Sequence, residues 1–363
     1  MRTLFYYTSQ SWSGSARAFA VAARGLNALG VPITVVCSVD SAAEQAFARE
    51  GLEVVTLPQD GTVTGDAWRL RRVLRERFIE VVCLHTEREQ LVASSAMRLA
   101  ERGAVIRRIP AGATARVGRS SSLLAGKMSP ARLLFAIESD RARTVGGERG
   151  FVAPLGVDVS RVDGVRAAAR TSLGLELETQ LIVCVTAGAA RVRTATALRT
   201  LALLAERHPD LRLALVGPGS DQEDVHMHAA ALGVSTLVQF LGERDDLPNV
   251  CAAADVGWVA ADGDDGAFGC LDFMAARVPV ISERTPLMAH YVPDGIAGVL
   301  LPPADPSDTA AAVASFLAHD EQREAMGRAG RTRAQRDFGE QTMIAGFAAA
   351  TAEAGDRASW AAR

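Results

Sequence analysis

Lysine is almost missing from this chain: Lys127 is the only one among 39 basic residues. Arginine carries the remaining positive charge and alanine is abundant, which reads as coding bias and implies no particular chemistry. A basic excess is missing as well. The formal charge is -3, whereas a nucleic-acid binder normally shows a surplus of Lys and Arg. No stretch approaches the roughly 18 apolar residues that a membrane span requires. The N-terminus, MRTLFYYTSQ, has one short apolar run and then turns polar, as a first β-strand does and a secretion signal does not. The five cysteines, Cys37, Cys83, Cys184, Cys251 and Cys270, form no Cys-x-x-Cys and no metal-ligand spacing. That pattern suits reduced, buried thiols in a cytosolic protein. No Gly-x-Gly-x-x-Gly follows Thr3–Tyr7, which argues against a dinucleotide-binding oxidoreductase.

What is present is regular. At 363 residues, 48% apolar and 22% charged, the chain has the size and composition of a two-domain globular protein. Short β-branched runs alternate with longer helical patterns throughout. In the first half the strands read as Thr3–Tyr7, Ile33–Cys37, Glu53–Leu57, Glu80–Leu84, Ala104–Ile109 and Leu133–Ile137, with helices such as Ser15–Leu29 and Gln90–Arg102 between them. The second half gives Leu181–Thr186, Arg212–Val216, Val238–Leu241, Val256–Ala260, Val278–Ile281 and Val299–Leu301. Such alternation predicts an α/β protein of two Rossmann-like, doubly wound parallel-sheet lobes built from right-handed β-α-β units. The expected domains are 1–156 and 157–339, with a C-terminal helix over 340–355 packing back on the first. Ligands of open parallel sheets bind outside the carboxyl ends of the strands. Two such lobes are therefore expected to face a central cleft that holds the site.

The stretch that follows Val256–Ala260, ADGDDGAFGCLDFMAARVPVIS, places a Gly-containing loop before a helix expected to begin near Ala267. A helix N-terminus offers unpaired N–H groups and a positive dipole end to a diphosphate. Gly266 and Gly269 are expected to let backbone approach the ligand. Asp264 and Asp272 frame the segment with seven residues between them.

Here the sequence resembles the retaining glycosyltransferases of family 4, whose fold is GT-B and whose signature is a pair of glutamates eight positions apart. The resemblance continues, in the right order, through LGVD (155–158), LALVGPGS (213–220), VQFLGERDDLP (238–248), DGIAGVLLPPADP (294–306) and MGRAGRTRAQRDF (326–338). It implies a metal-independent enzyme that needs no cofactor and moves a sugar from a nucleoside-diphosphate donor to an acceptor hydroxyl with retention. It implies that Asp272 accepts hydrogen bonds from the ribose, that Asp264 lies by the transferred sugar, and that the backbone of Phe268, Gly269, Cys270 and Leu271 holds sugar and phosphate oxygens. Gly14, in the first strand-to-helix turn, matches the glycine turn on the acceptor side. Arg244 lies in the Glu243–Asp246 region, which resembles the family's loop that contacts the base.

The family's Arg and Lys that neutralise the leaving diphosphate fall on VTAGAARVRTAT, where Gly188 stands at the Arg position and Arg193 at the Lys position. Arg191 or Arg193 is the candidate cation, since a guanidinium suits phosphate bidentately. The histidine expected after the fifth strand is absent from RRIPAG, and His85, at another strand end, is its candidate replacement, set against a plain packing role. Both signature carboxylates are aspartates, one methylene shorter than glutamate. These departures keep a second reading open: a degenerate GT-B protein that binds a sugar nucleotide or a partner transferase without turnover. A GT-B epimerase is a third, and its acid–base groups are not identifiable in the sequence.

Asp262-Gly263-Asp264 also has the look of a D-x-D metal motif or the start of a calcium loop, but Phe273 occupies the place of the calcium loop's bidentate Glu. His226 and His228 are two apart on a predicted helix and diverge. Between Ala104 and Arg132 lie six basic residues, Arg107, Arg108, Arg116, Arg119, Lys127 and Arg132, and no acidic one. Such a loop suits a phosphorylated or membrane-surface acceptor, or is simply solvated. The localisation that follows is cytoplasmic, with peripheral association at the inner membrane face.

Overall fold

A computed structural model describes residues 1–59, 61–101, 103–113, 132–144, 150–187, 190–303 and 305–361, without the side chains of 190, 191 and 357–361. The chain divides into two units: Met1–Leu155 with Glu340–Arg363, and Gly156–Gly339.

The first unit is built on seven strands, β1 (Thr3–Tyr7), β2 (Ile33–Ser38), β3 (Val54–Leu57), β4 (Val81–Leu84), β5 (Ala104–Ile109), β6 (Arg132–Phe135) and β7 (Phe151–Val152). All pairs are parallel and the order is β3-β2-β1-β4-β5-β6-β7. Alternate residues of β1 serve opposite faces, as a pleated strand requires. Leu4 and Tyr6 join Leu70, Leu74, Val92 and Met97 from the helices Val63–Glu76 and Glu87–Ala100. Phe5 packs edge-on against Phe19 of the helix Gly14–Ala28, centroids 5.2 Å apart, and lies 6.1 Å from Phe347 of the last helix, Glu340–Ala361. That last helix is further fixed by an ion pair of 3.0 Å between Glu340 and Arg24.

The second unit has six parallel strands, β8 (Leu181–Thr186), β9 (Arg212–Val216), β10 (Val238–Gly242), β11 (Val256–Ala260), β12 (Val280–Glu283) and β13 (Gly298–Leu301), ordered β10-β9-β8-β11-β12-β13. One face buries Ile182, Cys184 and Trp258 against the helices Ala190–Ala205 and Pro306–Ala318. On the other, a Cβ at Gly257 would lie 2.4 Å from the Phe273 ring. The missing side chain lets the helix Gly263–Ala275 lie flat on β11.

The predicted strands appear, five of them with both ends as expected and the rest with ends shifted by one or two residues. β7 is an addition: two residues carry no readable periodicity. The helix predicted as Gln90–Arg102 runs from Glu87, because Thr86 and Glu89 form a capping box that opens it three residues earlier.

Candidate functional site

In each sheet the winding reverses between two neighbouring strands, and the loops leaving those strands diverge to opposite faces, which opens a crevice for ligands. In the second unit this switch point lies between β8 and β11. The loop after β8 leads to Arg193, and the loop after β11 leads to Asp262.

Arg193 joins the two. Its Nη1 donates to the Ala187 carbonyl and its Nη2 to the Asp262 carboxylate. Asp262 is the N-cap of the helix Gly263–Ala275, yet its side chain makes no capping bond. The ladder opens with the Gly266 N–H donating to the Asp262 carbonyl at 3.1 Å. Gly263 takes φ of +60°, so a left-handed residue passes directly into right-handed helix. That sequence of conformations turns successive N–H groups toward one concavity, and with the helix dipole it favours an anion. A largely buried guanidinium therefore stands beside a helix start built for negative charge.

The helix begins at Gly263, four residues before the expected start near Ala267. The correction relocates the expected backbone donors. Phe268, Gly269, Cys270 and Leu271 lie in the second and third turns, where N–H groups serve carbonyls one turn back, and Phe268, Cys270 and Leu271 are buried. Cys270 Sγ donates to Met288 Sδ at 3.5 Å. Nor do Gly266 and Gly269 form a ligand loop. A Cβ at Gly266 would lie 2.3 Å from the Ala261 carbonyl oxygen, and one at Gly269 would lie 3.4 Å from Val259. Gly266 seats the helix start against the turn after β11, while a Cβ at Gly269 would make an ordinary contact with the strand. The sequence shows Asp262 and Gly263 only as a possible metal motif, and their role as cap and turn of this helix is carried by a weaker signal, an Asp-Gly pair after a strand.

Asp264 stands in the first helical turn and Asp272 two turns deeper, 3% and 2% exposed. Eight residues of helix separate them by about 12 Å along the axis and about 80° around it. They therefore address different parts of any ligand. Beside Arg193, on the face of the helices Ala190–Ala205 and Pro306–Ala318, is a cavity of about 170 Å³ lined by Val192, Thr196, Trp258, Ile281, Leu301 and Thr309 among others. Ligand pockets usually run to about 300–1,000 Å³, so this one holds a fragment at most. Arg244, at the end of β10, clasps Asp246 in two bonds of 2.7 Å. That hydrogen bonding raises Arg244 and lowers Asp246 from their usual ranges. The Arg191 side chain and Gly188 lie outside the described residues, as do Arg116, Arg119 and Lys127 of the basic stretch.

The switch point of the first unit lies between β1 and β4, and a second polar group occupies it. The His85 ring stacks on Tyr7 with centroids 4.9 Å apart, and Phe19 meets it edge-on. Its Nδ1 is 2.9 Å from Glu89 Oε2. Glu89 is buried and accepts from the N–H groups of Thr8, His85 and Thr86 and from the Thr8 hydroxyl, at 2.8–3.0 Å. Burial alone would push this carboxyl up. The hydrogen bonds from His85 and Thr86 and the imidazole charge outweigh it and hold the carboxyl at about 2. Tyr7 Oη lies 2.9 Å from Ser13 Oγ, and Ser13 caps the helix whose first residue is Gly14. Glu89 is the residue that sequence reading missed here, although Thr-x-x-Glu is itself a helix-start signature.

Among the described residues no group of three or more His, Cys, Asp or Glu side chains is placed to hold a metal ion. The five cysteines are buried thiols. Burial pushes Cys37 up to about 12 and raises Cys83, Cys184 and Cys270 as well, so these are poor nucleophiles.

Residues 165–333 match the family described as "Glycosyl transferases group 1". The D-inositol 3-phosphate glycosyltransferase of Corynebacterium jeikeium is 33% identical over 191 residues, 48% of this chain and 45% of that protein. The enzyme of the same name from Saccharomonospora viridis is 35% identical over 199 residues, 50% of this chain and 45% of that protein. The chain thus matches less than half the length of these curated relatives. Among solved structures, Anabaena Alr3699/HepE in complex with UDP and glucose superposes with a TM-score of 0.79 at 17% identity, over 97% of this chain and 100% of that one. WaaG, a glycosyltransferase involved in lipopolysaccharide biosynthesis, gives 0.69 at 18%, over 98% and 99%. The fold is GT-B.

Proposed function

We propose that this chain is a glycosyltransferase that takes a sugar from a nucleoside-diphosphate sugar and delivers it to an acceptor hydroxyl, with retention and without a metal, as in family 4. The observation that carries the reading is the position of Arg193. It spans the two loops of a switch point, at the start of a helix shaped for an anion, inside the segment that matches the glycosyltransferase family.

In this reading the diphosphate lies at the Gly263 turn, with Arg193 neutralising the charge that develops as the nucleotide leaves. Fixed cations and N–H groups at such a point are the main source of rate in displacements of this kind. For the diphosphate to bind, the Arg193 guanidinium must exchange the Asp262 carboxylate for phosphate oxygens. Asp264 stands by the transferred sugar, Asp272 accepts from the ribose, and the Arg244 loop serves the base. His85, braced by Glu89, and the Gly14 turn belong to the sugar and acceptor side. UDP-glucose is the first donor to test, given the UDP complex of a GT-B neighbour, and a phosphorylated polyol is the first acceptor, given the names of the curated relatives.

The test is a donor panel of UDP-, GDP- and ADP-sugars, each assayed for hydrolysis and for transfer, with nucleotide affinity measured alongside. Turnover of one donor establishes the reading. Nucleotide binding with no turnover of any donor favours the non-catalytic alternative, which the occupied Arg193 and the two shortened carboxylates support. No nucleotide binding at all overturns both.

A further inference from the structure

The helix Val63–Glu76 buries Ala67, Leu70, Val73 and Leu74 under the first sheet and turns a different face to solvent. That face carries Trp68, 66% exposed, with Arg71, Arg72 and Arg75 within one turn or two of it. The Arg71 guanidinium lies 5.3 Å from the Trp68 ring centroid, and its Nε donates to the Leu99 carbonyl at 3.0 Å. This bond brings Leu99, 51% exposed, of the neighbouring helix into the same surface, and Arg98 precedes it in the last turn of that helix. Among the described residues, half-buried Arg71 and exposed Arg72, Arg75 and Arg98 stand on these two helices with Glu76 and the C-cap Glu101, and Glu76 is already paired with Arg72.

Tryptophan is on average largely buried, whereas this indole stands exposed beside the Arg71 guanidinium. Indole prefers the boundary between apolar chains and water, and arginine stems lie along apolar surface while their heads reach outward to phosphate. We infer that the Trp68 face is a docking surface for an anionic lipid bilayer, with the indole at headgroup depth and Arg71, Arg72, Arg75 and Arg98 on lipid phosphates. A convex helical face with one central aromatic residue and flanking cations matches the plane of a membrane in shape and charge. One such patch gives reversible, salt-sensitive attachment and no permanent anchor. The inference is independent of the donor site in the second unit.

The experiment is co-sedimentation of the full chain with phosphatidylcholine vesicles, with and without phosphatidylglycerol. Binding is expected only to the anionic vesicles, with release in high salt. Trp68→Ala and the pair Arg72→Glu with Arg75→Glu should each weaken it by about fivefold or more, the worth of one surface cation. Brominated lipids should quench fluorescence of the wild type more than that of Trp68→Phe. The inference is overturned if the wild type ignores anionic vesicles, if the variants bind as well as the wild type, or if brominated lipids quench wild type and Trp68→Phe alike. It is equally overturned if polyglutamate or single-stranded DNA binds as tightly as the vesicles, which would assign the patch to a polyelectrolyte.

Discussion

The Arg193 guanidinium holds the Ala187 carbonyl with one nitrogen and the Asp262 carboxylate with another, so the loop after β8 and the cap of the helix Gly263–Ala275 are tied by a single side chain. Arg193 is only 17% exposed and Asp262 71%, so the cation is fixed and its carboxylate partner is the half that can leave. An incoming diphosphate competes with Asp262 for the same guanidinium.

Two substitutions then have opposite signs. Arg193→Ala should weaken nucleoside-diphosphate affinity by roughly 10- to 100-fold, the range of a charge-assisted hydrogen bond. Asp262→Asn should tighten it, because the arginine no longer has to give up a carboxylate. Calorimetric titration with UDP and GDP reads both. Equal affinities across the three proteins would remove Arg193 from the site.

Asp272 makes a separate claim, since it sits about 12 Å further along the helix than Asp264. If it accepts from the ribose, Asp272→Ala lowers the affinity for a nucleoside diphosphate and leaves that for inorganic pyrophosphate unchanged. Unchanged nucleotide affinity would leave Asp272 with a structural role only.

The fold was readable because its strands are buried on both faces and so appear as unbroken apolar runs, LIVCV in β8 being the clearest. The site was readable in part. Arg193 and Asp264 stand out by residue type. The helix start at Gly263 did not, because a sequence of Asp and Gly reads as loop whether or not the chain is already helical. The backbone roles that the resemblance implies for Phe268 to Leu271 fit a helix starting near Ala267, and the start at Gly263 puts those residues beyond the first turn. Glu89 escaped notice for another reason: its partners, Thr8 and His85, directly follow different strands, and only the parallel pairing of β1 with β4 brings them together.

Glu89 makes a prediction about acid. Its carboxyl is held at about 2 in the folded chain and titrates near 4.3 when unfolded. A depressed carboxyl contributes stability that is complete above the unfolded value and is lost as pH falls through the folded one. The window is therefore about pH 4.3 down to about pH 2, and the contribution about 3 kcal/mol. Glu89→Gln should lower the urea midpoint at pH 7 and flatten the pH dependence of stability in that window. A variant whose stability falls with acid as steeply as the wild type would show that other groups govern the effect.

Gly263 and Gly266 open the same helix for different reasons, and alanine should expose the difference. In an ordinary helix position Gly→Ala gains up to about 1 kcal/mol. At Gly263 the φ of +60° makes a Cβ cost about 1–2 kcal/mol, and asparagine, which tolerates the left-handed region, should cost less than alanine. At Gly266 the obstacle is space: the new Cβ would lie 2.3 Å from the Ala261 carbonyl oxygen, which is backbone and has no rotamer to adopt. Relief requires the helix start to lift off the end of β11, so Asp264 and the Gly263 turn move with it. Gly266→Ala should therefore lower both the melting temperature and the nucleotide affinity, and Gly266→Asn should do no better. Gly263→Asn should restore most of what Gly263→Ala loses. Thermal melts and nucleotide titrations of the four variants check this, and rescue by asparagine at both positions, or at neither, would refute the distinction between strain and space.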